Sequence, residues 1–346
     1  MQRTPAISGF QMPAEWAPHA GCYISWPVKE ETWFGFIGEA RRAYSEVIKA
    51  IHRFEPVTVL SDPSTARGAR AAVGPGPEIV EMPLDDAWIR DNGPIFVRNE
   101  EGEVAAVRFG FNGWGGRFPP YEKDAQVPLS LARMLGMKCY EAPMVLEGGS
   151  ICVDGEGTLL TTESCLLSKN RNPQLSKEGI EEVLRSYLGV KKVLWLKTGI
   201  HKSMIDGHVD GVAAFARSST VILAHTDDET NPNYLGMKEN KERLSTYTDA
   251  KGRPIEVIDF PMPDHTELAG NRIAACYPNF YFTNGGIVVP IFGEEKDKAV
   301  IEILESLFPS TEVVGVRSEH IAIGGGDVHC ITQQIPDGTP APSNPD

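Results

Sequence analysis

Apolar residues recur at helical spacing in five places along this chain, and each time a short β-rich run follows. Ile37, Ala40, Tyr44, Val47, Ile48 and Ile51 fall on one helical face and lead into the strand Val57-Thr58-Val59-Leu60. Ser176 reads as an N-cap ahead of Ile180, Val183, Leu184 and Leu188; that helix stops near Gly189 and leads to Val193-Leu194-Trp195-Leu196. Val300, Ile303, Leu304 and Leu307 form a third face, which ends at Pro309 ahead of Val313-Val314-Gly315-Val316. Weaker copies run from about Val127 to Met137 into Lys138-Cys139-Tyr140, and from about Tyr234 to Thr246 into Ile255-Glu256-Val257-Ile258.

A second pattern is interleaved with the first. Acid, Gly or Asn residues precede a further strand at Asp91-Asn92-Gly93-Pro94, Glu147-Gly148-Gly149-Ser150, Gly207-His208-Val209-Asp210-Gly211, Asn284-Gly285-Gly286 and Gly324-Gly325-Gly326-Asp327-Val328-His329-Cys330. From Asp91 to Glu147 is 56 residues and from Glu147 to His208 is 61. A repeat of that size, holding one helix and several strands, predicts an α/β fold of five similar blades about an axis, with the polar edges converging at its centre. A doubly wound sheet would carry an early G-x-G-x-x-G after a first strand, and none is present.

Convergence would bring together Asp91, Glu147, His208, Asp210 and Cys330. If the segments are extended, side chains alternate, so His208 and Asp210 share a face while His329 points away from Cys330. His208 is then the expected partner of the thiol. Each residue alone has a plainer reading: Arg90 and Asp91 as an ion pair at a turn, the acid-Gly-Gly run as a hairpin, the H-x-D segment as a satisfied core histidine, Cys330 as buried filler. Recurrence at equivalent places in successive units favours the joint reading.

Composition narrows the chemistry. Six cysteines with no C-x-x-C argue against a disulfide framework or a zinc ribbon and for a reduced, cytoplasmic protein. Cys22, Cys139, Cys152, Cys165 and Cys276 read as buried hydrophobes. The first residues lack a secretory apolar core, and no window reaches the roughly 18 apolar residues of a membrane span. A formal charge of −14 speaks against nucleic acid or an anionic membrane as partner and suits a cationic substrate. No linker divides the chain, so residues 1–346 read as a single catalytic domain with a core of about 12–336 and a flexible tail at 337–346.

Three carboxylates, a histidine and a cysteine, without a phosphate cradle, suit a guanidinium ion. It is planar and cationic and presents N–H donors in a fork that carboxylates accept in pairs. A thiolate can attack its central carbon, with His208 protonating the departing ammonia and then activating water.

The runs Met12-Pro13-Ala14-Glu15-Trp16, Asp86-Ala87-Trp88-Ile89-Arg90-Asp91-Asn92-Gly93-Pro94, Leu146-Glu147-Gly148-Gly149-Ser150, Gly207-His208-Val209-Asp210, Asn279-Phe280-Tyr281 and Gly324 to Gln334 resemble the agmatine deiminases and the related bacterial peptidylarginine deiminases. The resemblance spans residues 12 to about 336. It implies the five-bladed α/β propeller (pentein) of the guanidine-modifying superfamily, built from ββαβ units, with no metal and no organic cofactor. It further implies conversion of agmatine and water to N-carbamoylputrescine and ammonia, a step of polyamine (putrescine) synthesis. Cys330 would be the nucleophile, His208 the general acid and base, Asp91 and Asp210 the guanidinium acceptors, and Glu147 the residue that orients His208. Trp88 would line the pocket.

Two departures concern the substrate's far end. Agmatine deiminases commonly carry an acid-rich stretch ahead of Gly-His-Val-Asp, where this chain has His201-Lys202-Ser203-Met204-Ile205-Asp206. Met204 cannot replace a glutamate there, and Asp206, two residues on, is the candidate reader of the tail. The segment from Pro261 to Gly270 is also shortened. Another small guanidino compound, or free or peptidyl arginine, is therefore the alternative substrate. An amidinotransferase, a papain-like protease (which needs Cys before His), a zinc hydrolase built on His208, Asp210 and Glu147, and a non-catalytic scaffold are the remaining readings. The sequence leaves homo-oligomerisation open.

Overall fold

A computed structural model describes residues 4–264 and 266–343. All five predicted helix and strand pairs are present. Ile37–His52 leads to Val57–Ser61, Val127–Met134 to Cys139–Val145, Lys177–Leu188 to Lys192–Leu196, Tyr234–Thr246 to Glu256–Pro261, and Lys296–Leu307 to Glu312–Arg317. The capping signals hold at the third helix. Ser176 Oγ accepts from the Gly179 N–H, and Gly189 closes the other end in a left-handed conformation at φ 67°. A cap of this kind contributes roughly 1 kcal/mol.

Each pair belongs to a sheet of one recurring design, in which a first strand runs antiparallel to a second, and the second runs parallel to the strand delivered by the helix. Ile95–Arg98, Glu103–Gly110 and Cys139–Val145 form one such sheet. Ile151–Val153, Thr158–Thr162 and Lys192–Leu196 form the next. Ala213–Arg217, Thr220–His225 and Glu256–Pro261 follow, then Tyr281–Thr283, Gly286–Ile291 and Glu312–Arg317. The fifth sheet is assembled from both ends of the chain. Thr332–Pro336 pairs antiparallel with His19–Ser25, which is parallel to Val57–Ser61, and Glu78–Glu81 adds an outer strand. Helix faces and sheet faces meet in apolar clusters; the largest gathers Tyr44, Val47, Ile48 and Ile51 of the first helix with Ile287, Val288 and Val289.

Three expectations need correction. The polar segments are helical turns that enter the first strand of each sheet, not strands themselves. Asp91 lies in the turn Ile89–Asn92, Glu147 caps Gly148–Ser150, and His208 caps Val209–Gly211. The backbone closes locally at each, as in Ser150 N–H to Glu147 C=O at 3.0 Å and Thr332 N–H to His329 C=O at 3.1 Å. Secondly, the element of the fourth sheet is not Asn284-Gly285, which forms the hairpin between Tyr281–Thr283 and Gly286–Ile291. Asn279 holds the equivalent place. Thirdly, the chain does not leave the body at residue 336. Thr339–Pro340 pairs with Glu103 and Val104, and Ala341, 3% exposed, accepts from the Lys138 N–H, so the sheet edge is satisfied by this segment.

Candidate active site

The turns ahead of the first strands place their polar side chains against one another. Asp91, Glu147, His208, Asp210 and Cys330 are all buried. His208 lies between two carboxylates, Nδ1 3.6 Å from Asp91 Oδ1 and Nε2 3.9 Å from Glu147 Oε2. Both distances are too long for hydrogen bonds, and among the described residues neither ring nitrogen has a partner. Cys330 Sγ is 3.6 Å from Asp210 Oδ2. A Cβ on Gly149 would sit 2.7 Å from Asp210 Oδ2, 2.8 Å from Asp91 Oδ1 and 2.8 Å from His208 Nδ1. One methyl-sized point therefore touches three of the five groups.

The glycines before Cys330 allow close approach of neighbouring side chains. A Cβ on Gly324 would meet Trp33 at 2.6 Å, and one on Gly326 would meet Trp88 at 2.7 Å and Cys330 Sγ at 2.9 Å. Gly325 has φ 109°, a conformation open chiefly to glycine. Trp88 is fixed by stacking on Trp33, ring centroids 5.5 Å apart at 24°.

Further groups hold the five in place, and of these Trp114 and Arg171 lie outside every run quoted above. Trp114 Nε1 donates to Asp91 Oδ2 at 2.8 Å, and the Gly149 N–H donates to Asp91 Oδ1 at 3.0 Å. Arg171 Nε donates to Glu147 Oε1 at 2.8 Å. Asn279 Oδ1 accepts the N–H groups of His329 at 2.9 Å and Cys330 at 3.2 Å, which bends the Cys330 backbone into its turn. His329 does not contact the thiol; Nδ1 lies 2.9 Å from Asp210 Oδ2 and Nε2 2.9 Å from Glu15 Oε1.

The charges follow this geometry. Burial pushes the Cys330 thiol well above its ordinary range, and Asp210 and Asp91 add to the effect. Burial also raises Asp91, with Asp210 opposing ionisation and His208 favouring it. Asp210 ends below its usual value because His329, His208 and Arg90 outweigh its burial. The two carboxylates thus differ, Asp210 shifted down and Asp91 shifted up.

A cavity approaches Cys330 in two lobes. One, of about 120 Å³, is lined by Ile200, Met204, His208, Asp210, Cys276 and Arg272. The other, of about 280 Å³, is walled by Trp88, Trp114 and Phe118, with Asp86, Glu31, Lys29 and Arg117 around it. Met204 and Ile205 stand on the wall common to both.

Asp206, expected to read the substrate tail, has a different job. Its carboxylate accepts from Arg171, Asn170 and Arg117, and it lines neither lobe. Cys22, Cys152, Cys165 and Cys276 are buried as expected and Cys139 only partly so; Cys276 also lines the smaller lobe and Cys165 lies beside Glu147 and His208. Of the shortened segment, Glu267–Leu268 pairs with Asn271–Arg272, and of this hairpin Arg272 lines the first lobe; His265 lies outside the described residues.

Among the described residues, one trio could hold a metal ion: Glu147, Cys165 and His208, whose ligand atoms lie within 4.8 Å of one another. Arg171 already occupies Glu147 Oε1, and a dication would have to displace or face that guanidinium. The zinc hydrolase expected as an alternative would have used Asp210 as a ligand, and Asp210 is not part of the trio.

A thiol, an imidazole and paired carboxylates on mixed α/β sheets of this design define a class. A dimethylarginine dimethylaminohydrolase structure superposes with TM-score 0.55 at 13% identity, over 92% of this chain and all of that one, which shows the fold alone. The profile of the family described as Porphyromonas-type peptidyl-arginine deiminase matches residues 11–336, and the chain belongs to that family. A putative agmatine deiminase of Listeria monocytogenes is 47% identical, over 95% of this chain and 97% of its own length. The structure described as agmatine deiminase of Enterococcus faecalis catalysing its reaction superposes with TM-score 0.94 at 38% identity, covering 97% of this chain and 98% of that one.

Proposed function

We propose that this chain hydrolyses agmatine to N-carbamoylputrescine and ammonia through an amidino intermediate on Cys330, a step of putrescine synthesis. The observation that carries the proposal is the meeting of Asp91, Asp210 and His208 at the Gly149 point, with the Cys330 thiol 3.6 Å from Asp210. A guanidinium between Asp91 and Asp210 gives its N–H donors to two carboxylates and neutralises the charges that hold the thiol protonated. As sulfur bonds to the guanidinium carbon, the thiol proton passes to His208. His208 returns it to one nitrogen, the C–N bond breaks and ammonia leaves, with a thiouronium on Cys330. His208 then takes a proton from water, and the hydroxide oxygen adds to the same carbon. The S–C bond breaks and sulfur recovers the proton of that oxygen as the ureido product forms. The remaining proton on His208 leaves with ammonia as ammonium.

The tail of agmatine extends into the larger lobe. Its ammonium lies among Trp88, Trp114 and Phe118, toward Asp86 and Glu31, where aromatic faces and carboxylates both favour a cation. Burial pushes Asp86 up to about 6, against the Thr32 hydroxyl that donates to it, and an ammonium nearby would keep it ionised. Lys29 and Arg117 border the same lobe and favour a second reading, a guanidino compound with an anionic tail. Ureido product and ammonia released from agmatine, arginine and guanidino acids, assayed side by side, separate the two. Absence of agmatine turnover would overturn the first.

The same reading takes residues 1–346 as one catalytic domain in which the five sheets close as propeller blades around the site. The repeated sheet design and the pairing of Thr332–Pro336 with His19–Ser25 support closure. A cytoplasmic location is supported by six free cysteines, and no helix among the described residues is long and apolar enough to cross a membrane.

A further inference from the structure

His329 takes no part in the covalent steps above, yet both of its ring nitrogens face carboxylate oxygens in a buried place. Nδ1 is 2.9 Å from Asp210 Oδ2; Nε2 is 2.9 Å and 3.1 Å from the two oxygens of Glu15. A neutral imidazole offers one donor and one acceptor, and an ionised carboxylate only accepts. One of the two contacts would then set a nitrogen lone pair against an oxygen lone pair. Either a carboxylate is protonated, or the ring carries two N–H groups.

The surroundings decide between these. Glu15 is held down to about 2, because His329 and Arg90 outweigh its burial, and Asp210 is likewise held below its ordinary value. Arg90 Nη1 lies 3.5 Å from Glu15 Oε1, and Arg90 Nε reaches the His329 carbonyl at 3.4 Å. His19 Nε2 sits 2.8 Å from the Glu15 carbonyl, Cys152 lies across the packing beside Glu15, and Cys330 is the next residue in the chain. Apart from His329 itself, Arg90 lies against Glu15 and both His208 and Arg90 favour the charged form of Asp210, so each carboxylate has a further cationic neighbour that keeps it ionised.

We propose that His329 is a permanently charged positioning residue, a doubly donating imidazolium that keeps Asp210 ionised and turned toward the substrate guanidinium. The proposal rests on the reading of Asp210 as a guanidinium acceptor. Asn279 fixes the backbone of His329, Glu15 fixes the outer nitrogen, and the inner N–H takes Asp210 Oδ2. Among the described residues Asp210 Oδ1 meets no donor, so it is the oxygen left for the ligand. The imidazolium also offsets part of the negative field that raises the Cys330 thiol. The N-terminal segment around Glu15 thereby contributes to a site made of turns more than seventy residues away in the chain.

Nitrogen-15 spectra of enzyme labelled in its histidines, assigned by triple resonance, test the charge state without substrate. Both His329 ring nitrogens should stay in the protonated range from pH 6 to 9, and a bare nitrogen signal at pH 8 would overturn the proposal. Activity supplies the second arm. His329→Gln should raise the KM for agmatine at least tenfold, with a smaller fall in kcat, and move the acid limb of kcat/KM to higher pH as Asp210 becomes harder to ionise. An unchanged acid limb in a folded variant would refute the link to Asp210. Should His329→Gln fail to fold, the wild-type spectrum decides alone. Should agmatine not be a substrate, the spectrum still reports the imidazolium, so the two failures are distinct.

Discussion

Arg171 donates through Nε to Glu147 Oε1 at 2.8 Å, and both side chains are shut off from solvent. The same guanidinium holds Asp206 through Nη1. Glu147 stands behind His208, so the cation that fixes Glu147 also pins the segment at 199–207 that walls the cavity.

Replacing Arg171 with Met removes the cation and leaves Glu147 buried beside His208 without it. Breaking a buried pair in this way costs about 3–5 kcal/mol. A melting temperature lower by several degrees and a fall in kcat of at least a hundredfold are expected. Arg171→Lys should recover only part of either, because an ammonium cannot span both carboxylates. Thermal melts and steady-state assays of the two variants check this; a fully active Arg171→Met enzyme would contradict it.

Trp114 reaches Asp91 from outside the recurring turns. Trp114→Phe keeps most of the ring and loses the N–H donor to Asp91 Oδ2. A hydrogen bond to a charged group contributes about 1.5–3 kcal/mol, so the KM for agmatine should rise ten- to a hundredfold. The kcat/KM profile should also start to rise at a higher pH, because Asp91, already raised by burial, loses a group that stabilises its ionised form.

Gly149→Ala tests the meeting point itself. The added methyl would overlap Asp91, His208 and Asp210 at 2.7–2.8 Å. Overpacking costs about 1–3 kcal/mol, which a domain of this size can absorb, while the acceptors and the base are forced apart. The variant should fold with a modest drop in melting temperature and show no measurable turnover.

Stability should fall on the acid side through Glu15. Its folded-state value of about 2 lies below the ordinary 4.5, so its contribution is complete above about 4.5 and is lost as pH falls toward 2. Glu15→Gln should lower stability at neutral pH and flatten the dependence across that window. Chemical denaturation at several pH values measures both.

What was legible in the sequence follows from range. Helix periodicity and the caps at Ser176 and Gly189 are local, and those helices lie where the pattern put them. The recurring acid-glycine segments named Asp91, Glu147, His208, Asp210 and Cys330, and all five meet. Their backbone did not follow: alternation along a strand was assumed for turns, so the side-chain directions rested on the wrong local geometry. Trp114 and Arg171 were missed because their partners come from other units and nothing nearby in the chain marks them; Glu15 stands in the Met12 to Trp16 run, but its partner His329 is 314 residues away. Asp206 was misjudged for the same reason, since Arg171 and Arg117 saturate a carboxylate that looks free in one dimension.

The central claim is a covalent amidino intermediate on Cys330, and rapid acid quench of enzyme with agmatine, followed by peptide mass spectrometry, tests it most directly. A transient adduct of agmatine less ammonia is expected on the peptide that carries Cys330, formed before ureido product and absent in Cys330→Ala, which should bind agmatine without turning it over. Product formation with no adduct at any quench time, an adduct on another cysteine, or turnover by Cys330→Ala would contradict it.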